Sequence, residues 1–369
     1  QALDNIRLGD NVVWRVSHLE EFRYFCEPYV EQAIKDKRNI VYFRFASHEL
    51  LVKECPEVKR VEIPLSHQFE NFTVEIHKVI EREGIDTFYI FDCLSELQTA
   101  WATDLMMGNF FRVTCPFLFS LDTVAFFPII RGKHSFHAVK KILNTTQLLL
   151  DVYSDPKNIY VRPAKVWNRD SETMFLPHIY NKELRTFRPI LDGVQSSRFY
   201  QILSKFQRPG EEQFTDSWDR FFNTARMLYD NHMNTEEACN TMCDIMMTRD
   251  RKMRLMVKKH FSPEDYFSVR NHMIGTGMIG GKACGMLLSR AIVRNLAWDI
   301  NEVLEPHDSF FIGSDVYYTY IVDNGFWDIR VRQREETEYF SLAEEFARRL
   351  KNGVFSEEMK NHFLHILEY

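Results

Sequence analysis

The 369-residue sequence predicts an α/β chain. A mainly parallel sheet with helices on both faces is expected over about residues 10–180, then a helical stretch, then a region opened by a glycine cluster. Three observations carry this. Short β-rich runs alternate with segments of helical apolar period through the first half. From about 190 to 270 the helical period continues and the β-rich runs cease. Finally, Ile274–Met286 places five glycines in thirteen positions directly before another helical stripe.

The elements follow in order. Asn11–Val16 is a β-rich run, and Leu19, Phe22, Cys26, Tyr29, Val30 and Ala33 then recur at helical spacing. Ile40–Phe45 reads as the next strand and Arg60–Ile63 as a short one. Phe72, Ile76, Val79 and Ile80 mark one face of a helix that Gly84 ends. Thr87–Phe91 is almost continuously apolar, as a strand buried on both faces requires. Glu96–Phe111 is expected as helix, Pro116–Leu121 and Val124–Ile130 as strands, Ser135–Leu143 as helix, and Thr146–Tyr153 and Ile159–Trp167 as strands. Phe221, Phe222, Ala225, Leu228 and Tyr229 resume the helical period, with turns expected at Pro209-Gly210 and Ser262-Pro263. This stretch is too apolar to stay unfolded. Ser341 with Glu344 has capping-box spacing ahead of Leu342, Phe346 and Leu350. Ser356 opens a last helix with Met359, Phe363, Ile366 and Leu367 expected inward.

Composition narrows the function classes. A formal net charge of −6 gives no broad electrostatic reason to bind nucleic acid or an anionic membrane. No run approaches the roughly 18 apolar residues of a membrane span, and no basic-then-apolar leader opens the chain. The seven cysteines form no C-x-x-C pair, which fits reduced thiols in a cytoplasmic protein. The 31 phenylalanines are spread along the chain and read as aromatic core filling. The first residue is Gln1, and the helical pattern runs into Glu368-Tyr369, so the sequence reads as the N-terminal portion of a larger protein.

The glycine cluster is the chemical signal. In Gly280-Gly281-Lys282-Ala283-Cys284-Gly285-Met286, glycines before a helix let main-chain amides approach phosphate oxygens, and a lysine there neutralises charge. Ala283 follows the lysine, so this is not a Walker A loop. On spacing alone, a generic glycine-rich turn remains an equal alternative. The motif, its amphipathic helix, Phe310–Tyr318 and Asn324-Gly325 together resemble the start of the ATP-binding domain of phosphoenolpyruvate synthases and pyruvate phosphate dikinases. That resemblance covers about residues 270–369 and implies the first part of an ATP-grasp fold. It also implies ATP and Mg2+ as cofactors of the complete protein, and Gly280, Gly281 and Lys282 as nucleotide-contacting residues. The family's later arginine-serine-serine segment, acidic metal ligands and carrier histidine do not occur here.

The first region is similar to RecA/KaiC-like ATPase domains through Leu8–Trp14 and Val41–Ala46. Phe88–Phe91 ending in Asp92 imitates a Walker B strand, whose acid would hold magnesium. The phosphate loop that should accompany it is replaced by Val16-Ser17-His18-Leu19, so Asp92 also reads as the polar end of a buried strand. His48 is placed near the same crevice, with a structural role as the alternative. His134 and His137 lack a further ligand that would make a metal site. The organisation expected is a degenerate RecA-like domain over 1–185, a helical connector over 186–270 and the truncated ATP-binding domain over 271–369.

By resemblance, the complete protein is an ATP-dependent phosphotransferase whose partners are ATP and pyruvate or another acceptor, with oligomerisation left open. No catalytic residue and no metal ligand is assigned within this chain. The rival reading is a non-catalytic regulatory or assembly module that binds a protein or small ligand through its first domain.

Overall fold

The computed structural model describes residues 6–65, 68–101, 103–206, 215–296, 302, 304–305, 307–334, 337 and 339–367. The expected turn at Pro209-Gly210, and the chain ends at Gln1–Asp4 and Glu368-Tyr369, lie outside them. The chain divides into two compact units: Gln1–Ala100 with Met107–Asp216, and Trp101–Met106 with Ser217–Tyr369.

The first unit is built on a nine-stranded sheet. Its strands are β1 (Asn11–Val16), β2 (Ile40–Arg44), β3 (Val58–Glu62), β4 (Phe88–Phe91), β5 (Val124–Ile130), β6 (Leu148–Ser154), β7 (Ile159–Val166), β8 (His178–Asn181) and β9 (Thr186–Pro189). Their spatial order is β3-β2-β4-β5-β1-β6-β7-β8-β9. All pairings from β3 to β6 are parallel, and β6 to β9 pair antiparallel. The sheet is thus mainly parallel, as expected, with an antiparallel extension. No helix intervenes between β6 and β7, so a hairpin joins them and reverses the direction.

Period-two alternation sorts each strand's side chains between two cores. On one face Val12, Trp14 and Val16 pack against Phe22, Phe25 and Cys26 of α1 (Leu19–Lys35). Trp14 stacks on Phe25 with ring centroids 4.2 Å apart. On the other face Phe43 and Phe91 lie 4.8 Å apart, and Phe91 meets Phe110 of α4 (Asp104–Ser120) edge-on. Phe72 of α2 (Phe69–Glu83) closes this layer against Phe110. The spread phenylalanines are therefore core filling on both sides of one sheet.

After a short helix α3 (Leu97–Trp101), α4 continues to Ser120. This corrects the strand expected at Pro116–Leu121. That apolar run is buried helix, and a short apolar run has no period long enough to separate the two. Pro116 sits inside α4, and Pro28 likewise sits inside α1. α5 (Phe136–Thr145) follows, with Ser135 accepting from the Ala138 amide as its cap. The β8–β9 hairpin was not expected from the sequence. α6 (Gly193–Lys205) belongs to this unit, where Phe199 packs on Tyr153 and Tyr160.

The second unit is mostly helical. α7 (Ser217–Asp230), α8 (Glu236–Met242), a π-helical turn at Cys243–Met247, α9 (Arg251–His260) and α10 (Pro263–Asn271) lead to a two-residue strand β10 (Met273–Ile274). After it come α11 (Gly281–Leu296), β11 (Phe311–Ile312), α12 (Ser314–Asp323), α13 (Trp327–Arg332), α14 (Ala343–Asn352) and α15 (Glu357–Leu367). Trp218, Phe222, Met242, Met246, Val257, Tyr266, Leu288 and Phe311 share one core, so the helices over 217–271 and the glycine segment fold together. The capping box expected from Ser341 and Glu344 does not form, because α14 begins with Leu342 at the N-cap and no side chain capping it. Ser356 does accept from the Met359 amide at 3.3 Å. Leu367, expected inward, is 81% exposed. No described helix is long and apolar enough to cross a membrane.

Candidate functional site

The glycine segment forms the turn between β10 and α11. Met273 and Ile274 of β10 pair in parallel with Phe311 and Ile312 of β11, which brings the two sequence motifs side by side. Gly313 follows β11 and lies so close that a Cβ there would stand 2.7 Å from the Thr276 nitrogen. Gly275 and Gly277 have φ of +73° and +88°, in the region L side chains avoid. A Cβ on Gly277 would also meet Ser314 Oγ at 2.5 Å. These glycines are required by close approach and by backbone shape together.

Three contacts then fix the turn. Thr276 donates its amide to Asp315 Oδ1 at 2.8 Å and its hydroxyl to Oδ2 at 2.7 Å. Met278 donates its amide to Ser314 Oγ at 3.2 Å. Ile279 donates its amide to the Met246 carbonyl at 3.0 Å. Met246 lies in the π-helical turn, whose wider winding changes which carbonyls the helix itself uses. Asp315 is fully buried. Burial pushes its carboxyl above the ordinary value, while the Thr276 bonds and nearby amides pull the other way.

Beyond these anchors the turn opens. Gly280, Gly281 and Lys282 are exposed, and nothing lies within 4 Å of where a Cβ would sit on either glycine. The first amides of α11, from Gly281 to Ala283, find no acceptor among the described residues. Lys282 makes no hydrogen bond or ion pair among them either. A helix start with free amides and an unpaired cation is suited to an anion. Of the segment's cysteines, Cys284 faces the core, where burial raises its thiol and makes it unreactive.

The first unit's crevice has the opposite character. Asp92 ends β4 beside β2, where the connections leave to β3 on one side and β5 on the other. Its carboxylate is fully buried and surrounded by donors. Oδ2 accepts from Phe45 and Ala46 amides at 2.9 Å each and from Arg44 Nη1 at 3.1 Å, and Oδ1 accepts from the Tyr42 hydroxyl. Burial and the neighbouring Asp92 push the Tyr42 phenol well up. His48 is held just as firmly. Its Nε2 accepts the Cys93 amide at 3.2 Å, which places the proton on Nδ1, 2.7 Å from the Glu49 carbonyl. Both residues are clasps that tie the ends of β2 and β4 together.

No protein-family model matches this chain, and no curated protein does. Among solved structures it is similar to the ATPase domain of a helicase, at 9% identity and a TM-score of 0.37, over 50% of this chain and 86% of that one.

At Val16–Leu19, where a phosphate loop would stand, the start of α1 is occupied by its own side chain. Glu21 Oε2 accepts the Ser17 amide at 2.7 Å and the His18 amide at 3.3 Å, and Oε1 accepts from Ser154 Oγ at 2.5 Å. Sequence reasoning missed this, although an acid three residues into a helix is its signal. It also missed an ion cluster on the sheet. Arg15 bonds both oxygens of buried Asp151, at 2.5 and 2.7 Å, with Arg162 at 3.3 Å and Arg131 at 3.5 Å. Burial alone would raise the Asp151 carboxyl, but the three guanidiniums hold it below its ordinary value. Register places Arg15 and Arg162 directly opposite Asp151 on either side, a pairing invisible before the strand order is known. His134, left without a metal role, bonds Ser95 Oγ at 2.7 Å and the Gln98 side chain at 3.1 Å. A groove of about 710 Å³ lies on the α1 face, lined by Trp14, Tyr29, Phe88 and Phe126, at the strand ends opposite Asp92. It adjoins none of these polar clusters.

Proposed function

We propose that residues 271–369 are the first part of an ATP-grasp domain and that Gly280, Gly281 and Lys282 bind nucleotide phosphate in an ATP-dependent phosphotransferase. The supporting observation is the pinned turn: three anchors fix its backbone while its tip amides and Lys282 face solvent with no protein partner among the described residues. An ATP-grasp site clamps nucleotide between two subdomains. This chain supplies one jaw, and a second subdomain supplies adenine packing and the carboxylates that hold Mg2+. By resemblance to phosphoenolpyruvate synthases and pyruvate phosphate dikinases, the phosphoryl group passes through a carrier histidine to pyruvate or another acceptor. The domain over 1–185 and the connector over 186–270 precede this machinery and take no part in phosphoryl transfer.

The test is calorimetric titration with ATP and magnesium. Residues 1–369 should bind weakly, and a protein carrying the second subdomain should bind measurably. There, Lys282→Ala should weaken binding about ten- to a hundredfold, the value of a charge-assisted contact of roughly 1.5–3 kcal/mol. Tight binding by residues 1–369 that ignores Lys282→Ala would put the nucleotide elsewhere.

A second reading applies to the first unit alone: a non-catalytic module that binds a protein or small ligand. It is favoured by the saturated Asp92 carboxylate and by Glu21 at the helix start.

A further inference from the structure

The tip of the glycine turn has no contact of its own to hold it. Gly280 and Gly281 are exposed and unhindered, and Lys282 has no ion pair among the described residues. Their position is inherited from Thr276–Ile279, and the most deeply buried anchor of that stretch is the Asp315 carboxylate. We infer that Asp315 is a positioning residue for the nucleotide site: through Thr276 it fixes the turn, and so sets phosphate affinity without touching phosphate. This rests on the nucleotide reading above.

The physical argument is one of entropy and geometry. Two glycines at positive φ flank Thr276, so the backbone on either side of it is the least restrained in the segment. One carboxylate removes that freedom with two bonds, to the amide and the hydroxyl of the same residue. Asp315 is itself fixed, because it sits in the first turn of α12 next to Val316, which packs with Ile274 and Met359. Gly313, at the N-cap of α12, donates its amide to the Ile274 carbonyl at 2.8 Å. The helix that follows one motif therefore holds the turn of the other. An anion gains most from amides that already point at it, since ordering them at binding would cost affinity.

The test uses the intact protein with two readouts, at a temperature well below every variant's unfolding midpoint. Amide hydrogen exchange over 276–281 reports the turn without nucleotide, and titration with ATP and magnesium reports affinity. Asp315→Ala should speed exchange there at least about tenfold and weaken ATP binding by about the same factor. Asp315→Asn keeps an oxygen for the Thr276 amide and an NH2 for its hydroxyl, so it should restore both. Thr276→Ala, which leaves α12 untouched, should show a smaller loss in the same direction and serves if Asp315→Ala does not fold. Unchanged exchange in both Asp315→Ala and Thr276→Ala overturns the inference whatever ATP does. Faster exchange with unchanged ATP affinity, while Lys282→Ala loses affinity, overturns it too and leaves the nucleotide site standing. Faster exchange with no ATP binding by the unaltered intact protein instead sinks the nucleotide reading, and the inference with it.

Discussion

The turn from β1 into α1 and the turn from β10 into α11 both deliver the free amides of a helix start to the end of a parallel strand. In the first, Glu21 folds back and takes the Ser17 and His18 amides, and Ser154 fixes its other oxygen. In the second, the carboxylate comes from the following helix, binds Thr276 upstream, and leaves the amides at the tip free. The same chemical group neutralises one helix start and organises the other. The difference is where the acid sits in sequence: a local Glu three residues into its own helix caps that helix, whereas Asp315, 39 residues beyond Thr276, can only brace the approach to it. A phosphate site needs the second arrangement.

The largest effect that would break this contrast is at Asp92, the fully buried clasp of the first unit. Asp92→Ala leaves Arg44, the Tyr42 hydroxyl and two amides facing a void, and should cost about 3–5 kcal/mol in urea unfolding of the first unit. In the intact protein Asp92→Asn should leave ATP turnover unchanged, because no oxygen of this carboxylate is spare for a metal. Turnover lost in Asp92→Asn with the fold intact would reinstate it as a magnesium ligand.

A smaller loss is expected in the second unit from Gly313→Ala, whose added methyl would collide with the Thr276 backbone. Relief requires moving the turn, at about 2–4 kcal/mol. Gly281→Ala adds the same methyl into open space and should be close to neutral for stability. Equal midpoints for the two variants would mean that the turn is not held against Gly313. Smaller again is Glu21→Ala, which uncaps α1 and should cost about 1–2 kcal/mol. It should not create ATP binding, since no lysine or glycine stands at Val16–Leu19.

Much of the sheet was legible because each parallel strand is buried on both faces and each covering helix shows one apolar stripe. Val124–Ile130 and Thr87–Phe91 needed no partner to be read. Pro116–Leu121 failed because six apolar residues fit either period, and only the packing of Phe110 and Phe111 beneath the sheet reveals a helix. The β8–β9 hairpin was missed because its strands are four residues each and largely polar. At the site, Gly280, Gly281 and Lys282 stood out by residue type. Asp315 lay within the second motif, but its role depends on β10 pairing with β11, which no local pattern announces.

The smallest expected effect sharpens the comparison through pH. Burial raises the Asp315 carboxyl above its ordinary 3.8, so the folded protein binds its proton more tightly than the unfolded chain. The stability this contributes is fully present below about pH 3.8, the unfolded value, and is lost as pH rises through the folded value. Asp315→Asn carries no titrating group there. The stability difference between wild type and Asp315→Asn should therefore move against wild type as pH rises across that window, then level off. The slope cannot exceed about 1.4 kcal/mol per pH unit for one proton. Urea unfolding of both proteins at a series of pH values isolates this group, because every other carboxylate is common to the two. A difference that grows in favour of wild type as pH rises would mean that the Thr276 bonds outweigh burial. The charged carboxylate would then stabilise the turn outright, as the Arg15, Arg131 and Arg162 cluster does for Asp151 in the first unit.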